Sequence, residues 1–246
     1  MEENGEEVVS KKEKEELVKE ERAEERPKSE QSNKAKKAIG FFIAIILIVF
    51  LGSKLYKTLA ASVSESTKVS MTVLDSDRVR GNKDAKVALI EYSDFQCPAC
   101  GVYYTILKDL EKSYPNDLKI IYRNFPLTQL HKNAMLAAKA AEAAGRQDKF
   151  WEMHDLLFEK QADWSEGDLA KDKFQAYAKE IDLDEAKWLS DLDSKEVNDK
   201  ISSDVAFGNS LAVNSTPTFY LNGKKISPRS LDEFKKLVDK EIKSSN

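Results

Sequence analysis

An α/β domain interrupted by a block of helices, behind a charged tail and one apolar segment, is what the sequence predicts. Three observations predict it. A strand-like run at residues 87–92 passes through Ser93-Asp94-Phe95-Gln96-Cys97-Pro98-Ala99-Cys100 into a run with helical spacing. A second strand-like run at 118–123 is followed, from about 126 to 211, by an apolar pattern that stays helical. Two short runs then flank Asn222-Gly223, a hairpin signal, and Ser230-Leu231-Asp232-Glu233 opens a last helix as a capping box. The order is β-α-β, helical insert, β-β-α.

The first 37 residues hold ten Lys/Arg and twelve Asp/Glu, with little that is apolar beyond Val8, Val9, Leu17 and Val18. Such a segment cannot bury a core and is expected to be a disordered cytoplasmic tail. Residues 38–53 carry no charge. As a helix they span about 24 Å, short of a hydrocarbon core of about 30 Å. Leu55, Tyr56 and Leu59 extend the apolar side, and Lys36, Lys37, Lys54 and Lys57 can snorkel, so a transmembrane anchor over 38–59 is expected. Lys34, Lys36 and Lys37 outweigh Lys54 and Lys57, which puts the N-terminus in the cytoplasm and the rest outside a cell membrane crossed once. A cleaved signal peptide, with Ala60-Ala61-Ser62 as its small-residue site, is the competing expectation and exports the same domain. Residues 60–83 read as a spacer, with Met71-Thr72-Val73-Leu74 as a short edge strand.

Residues 86–92 are nearly continuously apolar, the pattern of a buried central strand, and Glu91 alone breaks the run. Six positions later comes the first of only two cysteines. Pro98 suits the first helical position, where its missing N–H loses no partner. Cys97 is then the N-cap, and Cys100 lies one turn in on the same side, near enough for a disulfide to close with little backbone movement. A helix N-terminus favours an anion and can lower a thiol from about 8.5 to roughly 3.5–7.5. Cys97 is therefore the candidate nucleophile and Cys100 the resolving thiol in thiol–disulfide exchange. The pair is its own redox group, so no cofactor is expected. Two cysteines are too few for the usual zinc or iron–sulfur set, and His131 and His154 do not have a finger's spacing, so no metal is expected either.

In the insert, Ala134, Ala137, Ala138, Ala141 and Ala144 make a small-residue face for close packing. Phe150, Trp151, Met153, His154, Leu157 and Phe158 make a thick apolar helix, and further helices follow around Phe174 and Tyr177 and from Val197 to Gly208. Aromatic stripes at helical spacing read as core, and both histidines as satisfied structural residues. The chain is 33% charged yet carries a net charge of only −4, which leaves no footprint for nucleic acid.

Taken together, Ser93 to Cys100, Arg123-Asn124-Phe125-Pro126-Leu127, the Phe150–His154 core and Ser215-Thr216-Pro217-Thr218-Phe219 resemble the DsbA-like branch of the thioredoxin superfamily. The likeness covers roughly residues 84–246 and keeps the family's order. It departs between the cysteines, where DsbA itself has Pro-His and this chain has Pro98-Ala99, so one source of thiolate stabilisation is missing. The resemblance implies a thioredoxin fold with a helical insertion. It supports Glu91 as a buried carboxylate taking or returning the proton of Cys100, against an exposed strand-end glutamate. It also implies a cis Thr216–Pro217 bond opposite the cysteines, with Thr216 backbone groups left to bind an extended client.

The function expected on this basis is that of a membrane-anchored extracytoplasmic oxidoreductase passing its disulfide to reduced or unfolded exported proteins. Its partners would be those clients, membrane lipid around the anchor, and a membrane oxidase resembling DsbB or VKOR. A reductase or isomerase in the same compartment is the near alternative, and a holdase-like binding module the remote one.

Overall fold

A computed structural model describes residues 14–16, 18–19, 47, 49–54 and 73–244. The chain divides into two units, Met1–Thr67 and Lys68–Asn246. In the first, the described residues are helical, and the tail expected at 1–37 and the anchor expected at 38–59 lie mostly outside them. Among the described residues no helix is long and apolar enough to cross a membrane.

Among its described residues the second unit has five strands: β1 Arg78–Gly81, β2 Val87–Ser93, β3 Leu118–Asn124, β4 Thr218–Leu221 and β5 Lys224–Ile226. They lie in the order β1-β3-β2-β4-β5. Strands β2 and β3 are parallel and share the crossover helix α1, Pro98–Ser113; every other pairing is antiparallel. Central β2 is buried on both faces, as its unbroken apolar run requires.

Alternation along the strands makes two cores. Val87, Leu89, Leu118, Ile120, Phe219 and Leu221 meet α1 through Leu107 and Leu110. The same face receives α8, Leu231–Ser244, through Phe234 and Val238. Ile90, Tyr92, Ile121 and Tyr220 form the other face, with Phe125 and Val213. The hairpin turns as its sequence dictates: Asn222 and Gly223 both have positive φ, 45° and 79°, the requirement of a type I′ turn. The Ser230 hydroxyl accepts from the Glu233 N–H at 3.3 Å, and the Glu233 carboxylate reaches back to the Arg229 N–H at 2.8 Å.

The insert holds α2 Ala134–Gly145, α3 Phe150–Glu159, α4 Gln161–Trp164, α5 Ala170–Glu180, α6 Glu185–Asp191 and α7 Lys195–Ser210. The alanines of α2 are buried against its neighbours. Trp164 and Trp188 are fully buried, and their indole N–H groups donate to the carbonyls of Leu157 and Ala140.

The edge strand corrects the reading of 60–83 as spacer. It lies at Arg78–Gly81, so the folded unit begins before residue 84. Of the run expected as a strand at 71–74 only Val73 and Leu74 are described, and neither is in a strand. Polar anchors place β1, and hydrophobic alternation does not. Asp77 pairs with buried Arg123 of β3 at 2.8 Å, and Arg78 pairs with buried Glu142 of α2 at 2.6 Å.

Candidate active site

Strand parity places the carboxylate. Val87, Leu89 and Glu91 share the face of β2 that α1 covers. Glu91 is buried there, not an exposed strand-end residue, and its Oε1 accepts from the Ser93 hydroxyl at 2.8 Å. Burial pushes its pKa up to about 7; the Ser93 bond opposes the rise and negative charge on Cys97 adds to it.

Cys97 is the N-cap of α1, with extended backbone (φ −69°, ψ 122°) and Pro98 at the helix start. Both cysteines are free thiols; Cys97 is 7% exposed and Cys100 not at all. Their acidities are pushed apart. A hydrogen bond from the Cys100 thiol lowers the pKa of Cys97 to about 5 against the effect of burial, helped by the Thr216 hydroxyl and the N–H groups of Cys100 and Ala99. Cys100 moves well above its ordinary value through burial, through its bond to Cys97 and through the charge of Glu91. At neutral pH one sulfur is a thiolate and the other keeps its proton.

Across 119 positions of sequence, the loop before β4 delivers Thr216 to Cys97. When protonated, Cys97 Sγ donates to the Thr216 carbonyl at 3.5 Å. The Thr216–Pro217 bond is cis, the isomer the resemblance implies. The Thr216 hydroxyl oxygen is buried and makes no hydrogen bond among the described residues, which leaves it to favour the Cys97 thiolate. The four expected residues Cys97, Cys100, Glu91 and Thr216 thus converge, with Pro217 beside them.

Sequence reasoning missed what holds the cysteine loop. The Asp94 carboxylate accepts from the N–H groups of Gln96 at 2.8 Å and Leu127 at 2.9 Å, and meets His131 Nδ1 at 2.7 Å. An aspartate bonded to the N–H two residues on is an Asx turn and was available to a reading of the sequence; the distant partners were not. His131 is structural, as expected, but the structure it serves is this loop. Gln161 of α4 donates to the carbonyls of Phe95 at 2.6 Å and Cys97 at 3.0 Å, while Gln96 reaches the Ser165 carbonyl at 2.6 Å. The insert therefore grips the loop mainly by its backbone. Among the described residues no group of three or more His, Cys, Asp or Glu is placed to hold a metal ion.

The family model described as Thioredoxin matches residues 74–240, more than half of the chain. The chain belongs to the thioredoxin family. Within it the fold is DsbA-like. It superposes on BdbD from Bacillus subtilis with a TM-score of 0.63 at 28% identity, over 70% of this chain and 95% of that one. A thioredoxin-like oxidoreductase from Silicibacter pomeroyi gives a TM-score of 0.61 at 26% identity, over 69% and 94%. The α-DsbA1 of Wolbachia pipientis shares the fold, with a TM-score of 0.64 at 20% identity, over 73% and 100%. Curated relatives by sequence include a protein named Na(+)/H(+) antiporter NhaA 1 from Salinispora arenicola. It is 39% identical over 66% of this chain but only 24% of its own length. A protein of the same name from Mycolicibacterium gilvum is 31% identical over 79% of this chain and 32% of its own length. The chain thus spans about a quarter to a third of these relatives. Fold and cysteine pair together support thiol–disulfide exchange as its chemistry.

Proposed function

We propose that the protein is a membrane-anchored extracytoplasmic thiol:disulfide oxidoreductase that introduces disulfides into exported proteins. The opposed acidities of the cysteines carry the reading: a lowered, slightly exposed Cys97 beside a raised, buried Cys100. In the oxidised protein a client thiolate attacks Cys97 Sγ. The Cys97–Cys100 bond breaks, a Cys97–client bond forms, and Cys100 leaves as a thiolate that takes the Glu91 proton. A second client thiolate attacks the client sulfur, forming the client disulfide and releasing Cys97. Two electrons have passed from client to protein. Because the released Cys97 thiolate is stabilised, the reduced form is favoured and the disulfide is a strong oxidant.

Thr216 and Pro217 supply the client site. An extended segment pairs with the Thr216 backbone as an added strand, which reads main chain and suits varied unfolded clients. Electrons then pass to a membrane oxidase resembling DsbB or VKOR. Residues 38–59 anchor the chain, with the N-terminus cytoplasmic. The partial match to proteins named as antiporters supports a membrane setting; antiport itself is left to those much longer chains.

Equilibration with glutathione buffers tests the direction. The reading expects a potential above about −180 mV, whereas one near about −270 mV would make the protein a reductase. Cys97→Ala should abolish exchange; a binding module would keep its function. Protease added outside cells with a permeable outer boundary should remove the thiol unit and spare the N-terminal tail. A cytoplasmic thiol unit, or mature protein starting near Ser62, would reject the anchor.

A further inference from the structure

Between the sheet, α1 and α3 lies a small, partly open chamber lined by Glu91 and His154 and, toward its mouth, by Arg80, Lys108 and Glu111. It offers about 20 Å³ to the centre of a water molecule. That is room for one, since a water needs about 10–15 Å³ by this measure and two or more polar partners. The partners are present. Glu91 Oε1 is taken by Ser93, while Oε2 has no hydrogen bond among the described residues. His154 Nδ1 lies 2.9 Å from Asp155 Oδ1. A carboxylate only accepts, so Nδ1 carries the hydrogen and Nε2 is a bare acceptor. Nε2 too makes no hydrogen bond among the described residues.

Beyond His154 the groups lead outward. Asp155 is a quarter exposed and is held by Arg80 of β1 at 2.9 Å, with Lys108 of α1 at 3.9 Å. Lys108 also donates to the Tyr104 hydroxyl at 2.9 Å, and Arg80 faces Glu111 of α1 at 3.9 Å. Burial drives the imidazole down to about 4, so His154 rests neutral, able to accept at one nitrogen while donating at the other. Burial opposes ionisation of Asp155, but the bonds from His154 and Arg80 hold it below the usual carboxylate range.

We propose that His154 is the proton exit of the site: through one chamber water it takes the proton that Glu91 receives from Cys100 and passes it to Asp155 at the surface. The inference rests on the dithiol reading above. The step it serves is resolution of a mixed disulfide on Cys97. Cys100 loses its proton to Glu91 and attacks Cys97 Sγ. The Cys97–partner bond breaks, the Cys97–Cys100 bond forms, and the partner leaves as a thiolate carrying the electron pair. Glu91 must then shed a proton from a buried position. The resting tautomer of His154 is set to take it, and the imidazole exchanges which nitrogen holds hydrogen without dwelling as a cation. His154 is a member of the relay that touches neither sulfur and acts only through Glu91, so it is not itself a catalytic residue.

The test follows reduced full-length protein mixed with oxidised glutathione, acid-quenched over time across pH 5–9. His154→Phe keeps a ring among the surrounding aromatics. It should leave Cys97 alkylation and formation of the mixed disulfide unchanged but slow its resolution about tenfold to a hundredfold. Added imidazole should restore the rate in His154→Ala, with a pH profile following the imidazole base. Wild-type resolution rates in His154→Phe at every pH would overturn the proposal, as would the absence of rescue. Should both variants fail to fold, nitrogen NMR of the intact protein decides. Nε2 should be unprotonated and in contact with a long-lived water; a protonated Nε2 or a dry chamber rejects the path. If the wild type forms no mixed disulfide at all, the dithiol reading fails first and this inference with it.

Discussion

A thiolate persists only where donors replace water, and at Cys97 they come from three places: the Cys100 thiol, the Thr216 hydroxyl and the first N–H groups of α1. Thr216 is the separable one, because its buried hydroxyl makes no hydrogen bond among the described residues. Thr216→Val keeps the shape and strands no other group, so stability should change little while Cys97 titrates at higher pH than in the wild type. The rate of iodoacetamide alkylation against pH measures it; an unmoved titration would remove Thr216 from this role. Glu91 shows the opposite side of tuning. A carboxyl raised from 4.5 to about 7 and wholly buried disfavours the folded state by about 3 kcal/mol once ionised, a disadvantage a purely structural residue would not keep. These residues were legible: the cysteines by spacing, Glu91 because one charge broke an apolar run, Thr216 through the motif around Pro217. Gln161 and His131 were not, and of Asp94 only the local turn was, because the remaining bonds join groups far apart in sequence, which leave no periodic trace.

Among the elements, strands and helices with one-sided apolar patterns were readable, and the hairpin was fixed by two residues, Asn222 and Gly223. Edge strand β1 was not, since its sequence Arg78-Val79-Arg80-Gly81 has no apolar run and is placed by ion pairs to Glu142 and Asp155 and by Asp77 just ahead of it. The docking of α7 was half readable: Val197, Ile201, Val205 and Gly208 mark a face, but nothing says how closely it approaches the sheet. At Gly208 the approach leaves no room. A Cβ there would stand 2.8 Å from the Phe125 ring and 3.1 Å from the Tyr92 ring, two rings already packed edge to face. Gly208→Ala should therefore destabilise the fold by about 1–3 kcal/mol through overpacking. Because Asp204 of the same helix holds the Asn124 N–H at the end of β3, the displacement should be felt there. Denaturant unfolding and amide exchange at Asn124 would register it, and a neutral substitution would mean that α7 sits more loosely than these distances require.

For the molecule as a whole, the redox state and the stability are linked through the same protons. In the reduced protein Cys97 is lowered from 9.0 to about 5, so the folded state binds fewer protons than the unfolded chain between those values. This contribution to stability is complete above about pH 9 and disappears as pH falls through 5. Glu91 runs the other way: raised to about 7, it contributes stability below about 4.5 that is lost as pH climbs through 7. Oxidation deletes the Cys97 contribution, and with it the opposing one of raised Cys100, which acts only toward pH 9 and above, since a disulfide sulfur does not titrate; Glu91 stays buried. Subtracting oxidised from reduced stability at each pH thus cancels most of the carboxylate's effect and isolates that of the thiolate. The difference should rise steadily from pH 5 to pH 9, with the reduced form the more stable at neutral pH, as a strong oxidant requires. Urea unfolding of the full chain in both states at pH 5, 7 and 9 measures it. A difference that stays flat or falls with pH would mean that the thiolate is not what favours the reduced state, and the tendency to give the disulfide away would need another cause.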